Sequence, residues 1–165
     1  MIHATFPSPI GMILVDCDED HLRAINIITA PAEDIPYRGT QASSRIARAA
    51  IEQLSAYFNG SLTTFDLPLQ PVSSARGEAL RQAICAIPFG QMMSYGAVAR
   101  MIGSGPRAIG QACRRNPLPI IVPCHRVTAA AGAIGNYSGG NGVETKLKLL
   151  RHERAIENTL FESIG

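Results

Sequence analysis

With 165 residues, 46% of them hydrophobic, the chain holds enough apolar material for one good core or two small packed lobes, which excludes a disordered polypeptide. Its longest apolar runs, such as 117–122, are far too short to span a bilayer, and no basic segment followed by an apolar stretch opens the sequence, so neither a membrane partner nor a secretory signal is expected. The formal net charge of +2 hides an asymmetry: residues 1–73 carry four basic and eight acidic side chains, and residues 74–165 carry eleven basic and five acidic ones. A basic second half points to an anionic partner, nucleic acid above all. The four cysteines, Cys17, Cys85, Cys113 and Cys124, form no CxxC pair, which fits free thiols in a reduced, cytoplasmic setting.

Three strand-like runs come first, at 2–6, 12–17 and 22–28. Pro9-Ile10-Gly11 and the acidic Asp18-Glu19-Asp20 separate them, which predicts a small antiparallel sheet. A helix is expected over 42–58, with Ile46, Ala49, Ala50, Leu54 and Phe58 at helical spacing and Asn59-Gly60 as its stop. Residues 62–72, with Pro68 and Pro71, read as an extended linker, so the lobe boundary falls between 1–72 and 73–165. The second lobe reads as mainly helical: 75–86, then 95–102, then 106–115, and finally 143–153. Gly103-Ser104-Gly105 joins the middle two, and Pro106 suits the first turn of the second, which makes a helix-turn-helix candidate. The architecture expected is therefore α+β, with a small sheet-and-helix lobe followed by a helical one.

The run Ile120-Ile121-Val122-Pro123-Cys124-His125-Arg126-Val127 carries the chemistry. Cys124 follows a stiff apolar segment and a proline, and an imidazole and a guanidinium follow it. A fixed thiol with a base and positive charge beside it is the setting that lowers a cysteine pKa and makes a nucleophile. Just upstream, the second helix of the pair begins Pro106-Arg107-Ala108-Ile109-Gly110 and ends Cys113-Arg114-Arg115-Asn116. Its small residues allow close approach to a duplex, and Arg114 and Arg115 suit phosphates better than bases. Cys17, Cys85 and Cys113 read as small buried hydrophobes. Only His3, Cys17 and His21 lie near one another as zinc candidates, too few for a closed structural site, so no metal is expected.

Pro123-Cys124-His125-Arg126-Val127, with Asn116-Pro117 and Arg107-Ala108-Ile109-Gly110 before it, resembles the methylated-DNA–protein-cysteine S-methyltransferases, the O6-alkylguanine-DNA alkyltransferases. The resemblance continues through Ser94-Tyr95-Gly96, Gly135-Asn136-Tyr137-Ser138-Gly139-Gly140 and Leu149-Leu150-Arg151-His152-Glu153. Ser8-Pro9-Ile10-Gly11 and Tyr57-Phe58-Asn59-Gly60 extend it over the first lobe, which is ribonuclease-H-like in that family. It implies single-turnover, irreversible transfer of an alkyl group from O6-alkylguanine, with O4-alkylthymine a further candidate substrate, in duplex DNA to Cys124 after nucleotide flipping. It implies no cofactor, and a monomer as the working unit. His125 matches a base acting through a water, Glu153 the group orienting it, and Tyr95 a phenol on the leaving guanine. Arg107 matches a finger filling the duplex, Asn116 a hinge residue, and Lys146 a lysine near the guanine edge. Ser94, Ala108, Arg114, Arg115, Tyr137 and Ser138 complete the expected DNA and substrate side.

One departure is visible. In the helix at 75–86 the family usually has a phenylalanine and a Val-Trp pair, whereas this chain has Arg76, Leu80 and Arg81 and no Trp. Two rival readings remain open on the residues alone. A cysteine hydrolase could use Cys124 and His125, although such enzymes bring the histidine from a distant segment. A sensor of alkylated bases could bind without repair, although sensors of that type lack the acceptor cysteine.

Overall fold

The computed structural model describes residues 2–29, 44–129 and 133–156, in two compact units, Met1–Pro71 and Val72–Gly165. The first unit is an antiparallel sheet in the order β1 (Ile2–Ser8), β2 (Gly11–Cys17), β3 (Leu22–Ile28), with helix α1 (Arg45–Phe58) packed on it. Alternation sets the sheet. In β2, buried Ile13, Val15 and Cys17 share one face, and Leu14 on the other face is buried as well. The hairpin between β1 and β2 closes tightly, with Ser8 Oγ donating to the Gly11 carbonyl at 2.7 Å.

Helix α1 starts later than its sequence pattern suggests. Ser44 caps it, accepting from Ala47 N–H at 3.0 Å, and positions 42–43 lie outside the described residues. The buried stripe is Ala47, Ala50, Leu54 and Tyr57, whereas Ile46, Ala49 and Phe58 are only half-buried. Two alanines on the buried stripe let the helix axis approach the sheet, which turns the larger Ile46 and Phe58 toward the helix edges. Phe58 still stacks on Phe6, with ring centroids 6.3 Å apart. The segment read as an extended linker is partly zipped onto β3: Leu22 N–H donates to the Pro68 carbonyl and Gln70 N–H to the Leu22 carbonyl, at 2.7 and 2.9 Å.

The second unit contains α2 (Ala75–Cys85), β4 (Met93–Ser94), α3 (Tyr95–Ile102), α4 (Pro106–Arg115), β5 (Val127–Thr128) and α5 (Val143–His152). The fold is α+β. Arg76 on α2 is solvent-exposed, and Ala83 and Ile84 are the buried residues of that helix, so its packing needs no large aromatic. Cys85 is exposed, contrary to the reading of it as a buried hydrophobe, because α2 buries the stripe that holds Ala83 and Ile84 and turns position 85 outward. Ser94 caps α3 and accepts from Ala97 N–H at 3.0 Å. Gly103 ends α3 in the left-handed region at φ 68°, where a side chain would be strained, and this turns the chain into α4.

Parallel pairing of β4 with β5, Met93 to Val127 and Ser94 to Thr128, is too short to show in a sequence pattern. It ties the start of α3 to the residues that follow Cys124. Around it lies the core of Val98, Ile109, Leu118, Ile120, Val127, Leu149 and Leu150. No helix among the described residues is long and apolar enough to cross a membrane.

Leu54 carries the core of the first unit and is fully buried. Leu54→Ala is expected to lower unfolding stability by about 2–5 kcal/mol, through lost transfer energy and the cavity left behind. Urea denaturation of the two proteins measures the difference.

Candidate active site

Cys124 lies in a 3₁₀ turn, Cys124–Arg126, reached through a compact apolar loop in which Leu118, Ile120, Ile121 and Val122 are buried. Ile120 sits at φ 75°, a left-handed conformation that a β-branched residue rarely adopts. Val122 N–H donates to the Leu118 carbonyl, and Cys124 N–H to the Val122 carbonyl across Pro123, at 2.9 and 2.7 Å. The segment before the thiol is thus a closed turn.

Asn116, at the end of α4, organises the turn. Its Nδ2 donates to the Val122 carbonyl at 3.0 Å and to Cys124 Sγ at 3.1 Å, and its Oδ1 accepts from Leu118 N–H at 3.0 Å. Cys124 has no exposed surface, and its Sγ lies 3.7 Å from the Cys113 carbonyl oxygen, with the Cys113 thiol also within hydrogen-bonding reach. Its pKa is held below the usual thiol value. The Cys113 thiol, the Asn116 amide and the positive charge of Lys146 favour the thiolate and outweigh the opposing effect of burial. Cys113 moves the other way, because its thiol faces that sulfur and is buried. The Arg126 guanidinium, expected from the sequence to favour the thiolate, points elsewhere.

Arg126 is paired with Glu153. Its Nε and Nη2 donate to the carboxylate at 2.8 and 2.9 Å, and its Nη1 donates to the Ile87 carbonyl at 2.7 Å. On the same carboxylate, His125 Nε2 lies 2.7 Å from Oε2. Glu153 has 2% of its surface exposed and His125 none. Burial alone would raise the Glu153 pKa, but the hydrogen bonds and charges of His125 and Arg126 hold it well below the usual carboxylate range. Burial keeps His125 below its ordinary value, so it is neutral. An ionised carboxylate only accepts, so Nε2 carries the ring proton and Nδ1 presents a lone pair. Nδ1 is buried and has no hydrogen-bond partner among the described residues.

Tyr95 opens α3, and its oxygen accepts from Asn136 N–H at 2.8 Å, which leaves its own proton to donate elsewhere. Burial raises its pKa and keeps it a phenol. Two glycines cradle the ring. A Cβ on Gly110 would sit 3.4 Å from it, and one on Gly135, at φ 85°, would overlap the phenol oxygen. Lys146 is fully buried on α5, donates to the Val127 and Asn136 carbonyls at 2.6 and 2.9 Å, and is pulled down to about 8 by burial. Tyr137 is buried with its ring 6.4 Å from that of His125, whereas Ser138 is exposed.

Helix α4 has two faces. Ile109, Gly110 and Cys113 are buried. Arg107, Ala108, Gln111, Arg114 and Arg115 are all exposed and recur at helical spacing. Gln111 was not singled out from the sequence, although its place one turn after Arg107 marks it. The sequence also gave no sign that Cys113 faces Cys124 or that Arg126 serves Glu153. Of the zinc candidates, Cys17 faces the Ser44 hydroxyl at 3.3 Å, His21 is near Asp18, and the His3 side chain lies outside the described ones. No group of three or more His, Cys, Asp or Glu among the described residues is placed to hold a metal ion.

Glu153→Gln is expected to cost about 3–5 kcal/mol at pH 7, because it strands the buried Arg126 charge. Glu153 is depressed in the folded state, so its contribution is present above its ordinary value of 4.5 and is lost as pH falls below it. In the wild type, neutral His125 adds a loss of the same sign below its ordinary 6.5. Urea unfolding across pH 7 to about 3 should therefore show the gap between wild type and Glu153→Gln narrowing below pH about 4.5.

Comparison with known proteins gives a consistent result. The family model for the 6-O-methylguanine DNA methyltransferase DNA-binding domain matches residues 76–155, and that for the ribonuclease-like domain of the same family matches residues 1–71. A methylated-DNA–protein-cysteine methyltransferase of Methanosarcina acetivorans is 39% identical over 153 residues, 90% of this chain and 97% of that protein. One from Mycolicibacterium paratuberculosis is 37% identical over 97% of this chain and 98% of that protein. Among solved structures, Mycobacterium tuberculosis OGT in complex with DNA superposes with a TM-score of 0.76 at 34% identity, covering 92% of this chain and 91% of that one.

Proposed function

The chain belongs to the 6-O-methylguanine DNA methyltransferase family, and from that premise we propose that it repairs duplex DNA by taking the alkyl group of O6-alkylguanine onto Cys124, once and irreversibly. The observation that carries this reading is the pairing of a donor-stabilised sulfur with a neutral, oriented histidine. Asn116 donates to Cys124 Sγ, and Glu153 fixes His125 with its Nδ1 lone pair unpartnered among the described residues. His125 takes the thiol proton through one bridging water. The thiolate attacks the alkyl carbon in line with the carbon–oxygen bond, that bond breaks, and its electron pair stays with guanine. The Tyr95 phenol, its oxygen already bonded by Asn136 N–H, donates to the leaving base. The thioether that results is chemically inert, because a thiolate is a poor leaving group from carbon at neutral pH, so each chain acts once. No step calls for a cofactor or a second subunit.

A fully buried sulfur reaches its target only if the nucleotide leaves the stack. The exposed face of α4 suits that task. Ala108 lets the helix approach the duplex, Arg114 and Arg115 neutralise phosphates, and Arg107 at the first turn occupies the vacated stack. Ser94, which caps α3 beside Tyr95, and exposed Ser138 are assigned to the approach, and buried Tyr137 and Lys146 to the wall behind the base. O4-alkylthymine offers the same carbon–oxygen bond and is a candidate for the same transfer.

Intact-protein mass after incubation with methylated duplex tests the transfer. One methyl gain is expected for the wild type and none for Cys124→Ser, with duplex binding kept. Methyl gain by Cys124→Ser, mapped to Cys85 or Cys113, would overturn the assignment.

Arg107→Ala should slow single-turnover repair of duplex by about tenfold or more, since filling the stack offsets an extrusion cost of a few kcal/mol. Transfer from a free alkylguanine analogue, which needs no extrusion, should be unchanged. Equal slowing with both substrates would place Arg107 in the chemistry instead.

A further inference from the structure

Cys113 reads in the sequence as packing, yet its thiol and that of Cys124 are within hydrogen-bonding reach, and the acceptor sulfur lies 3.7 Å from the Cys113 carbonyl oxygen. Neither residue has exposed surface. Asn116 bonds both to Val122 and to Cys124, so the end of α4 and the 3₁₀ turn are held against each other and the two sulfurs stay together. The transfer reaction described above uses one of them.

We propose that Cys113 and Cys124 form a reversible disulfide when the protein meets a hydroperoxide, and that this bond spares the acceptor sulfur from irreversible oxidation. The proposal rests on the reading of Cys124 as acceptor only for its consequence. The disulfide itself depends on the two sulfurs alone.

The roles within the pair follow from their surroundings. Only Cys124 receives the Asn116 amide, so it is the sulfur that ionises and reacts first, while buried Cys113 stays a thiol. The Cys124 thiolate attacks one peroxide oxygen, the O–O bond breaks, and the departing oxygen takes a proton and leaves as water, or as an alcohol from an organic hydroperoxide. A sulfenic acid remains on Cys124. The Cys113 sulfur then attacks the sulfenic sulfur. The S–O bond breaks, the Cys113 proton leaves with the hydroxide as water, and the S–S bond forms. Two thiols supply the two electrons that the peroxide accepts. Forming the bond draws the two sulfurs from hydrogen-bonding reach to about 2 Å. Without Cys113 the sulfenic acid proceeds to sulfinic and sulfonic acids, which ordinary thiols do not reverse. For a protein that acts once, such oxidation would cost a whole molecule per event.

The test treats the full chain with hydrogen peroxide, blocks free thiols, and maps tryptic peptides without reduction. Residues 108–114 and 116–126 carry the two cysteines on separate fragments. The expected result is a cross-linked pair of these fragments, two hydrogens lighter than their sum, that a dithiol reductant separates. Methyl uptake from methylated duplex should fall with peroxide and return on reduction. As a fraction of each protein's untreated uptake, that return should be at least about fivefold greater in wild type than in Cys113→Ser or Cys113→Ala. Three results would overturn the proposal: Cys124 as sulfinic or sulfonic acid beside a free Cys113 in wild type, a bridge to Cys85 or to a second chain, or recovery in the Cys113 variants equal to wild type. If untreated protein takes up no methyl group, the acceptor reading fails, and the peptide map still decides the disulfide on its own.

Discussion

A carboxylate almost wholly removed from solvent, that of Glu153, sets the geometry on which the site depends. An isolated ionised carboxylate in such a place would be prohibitively costly, and it would either take up a proton or draw the structure apart. Here Arg126 offers two parallel donors and His125 a third. The same guanidinium also holds the Ile87 carbonyl, so one group binds the end of α5, the 3₁₀ turn and the segment after α2. Because the carboxylate stays ionised, the imidazole must present its N–H to it, and the tautomer of His125 is decided by a residue 28 positions away.

The sulfur next door shows why burial by itself predicts little about a thiol. Desolvation alone would leave Cys124 protonated and inert. Donors aimed at the sulfur reverse that outcome, chiefly the Cys113 thiol and the Asn116 amide, with the Lys146 charge behind them. Lys146 is itself pulled down to about 8 by the same burial, so its help fades as the solution becomes mildly alkaline. The local field is therefore a balance of desolvated groups, each of which fixes the ionisation of the next.

A single ten-residue helix serves both the interior and the surface. The inward face of α4 places Cys113 against the sulfur and Gly110 against the Tyr95 ring, while its outward face is a row of arginines and small or polar residues. The absent methyl group at Gly135 matters as much as a side chain present, since a Cβ there would overlap the phenol, whereas one at Gly110 would only touch the ring. Any movement of α4 against its neighbours would therefore be felt at the sulfur and at the phenol together.

Much of this was legible in the chain itself. Alternation and turn residues gave the three strands, helical spacing and Gly103-Ser104-Gly105 gave the paired helices, and Pro123-Cys124-His125-Arg126 marked the thiol. Those signals are local, because backbone preferences and apolar periodicity act over a few residues. The pairing of Met93–Ser94 with Val127–Thr128 was not legible, since two residues make no pattern. Nor were the partner of Arg126, the turn of α1 that buries Ala47 and Tyr57, the exposure of Cys85 or the approach of Cys113 to Cys124. In each of these, segments far apart in the chain compete for the same interior space, and packing together with the demand that buried charges be paired selects the winner. The sequence by itself determined which residues could react, whereas only the tertiary structure decided which groups surround them and hence which proton each one holds.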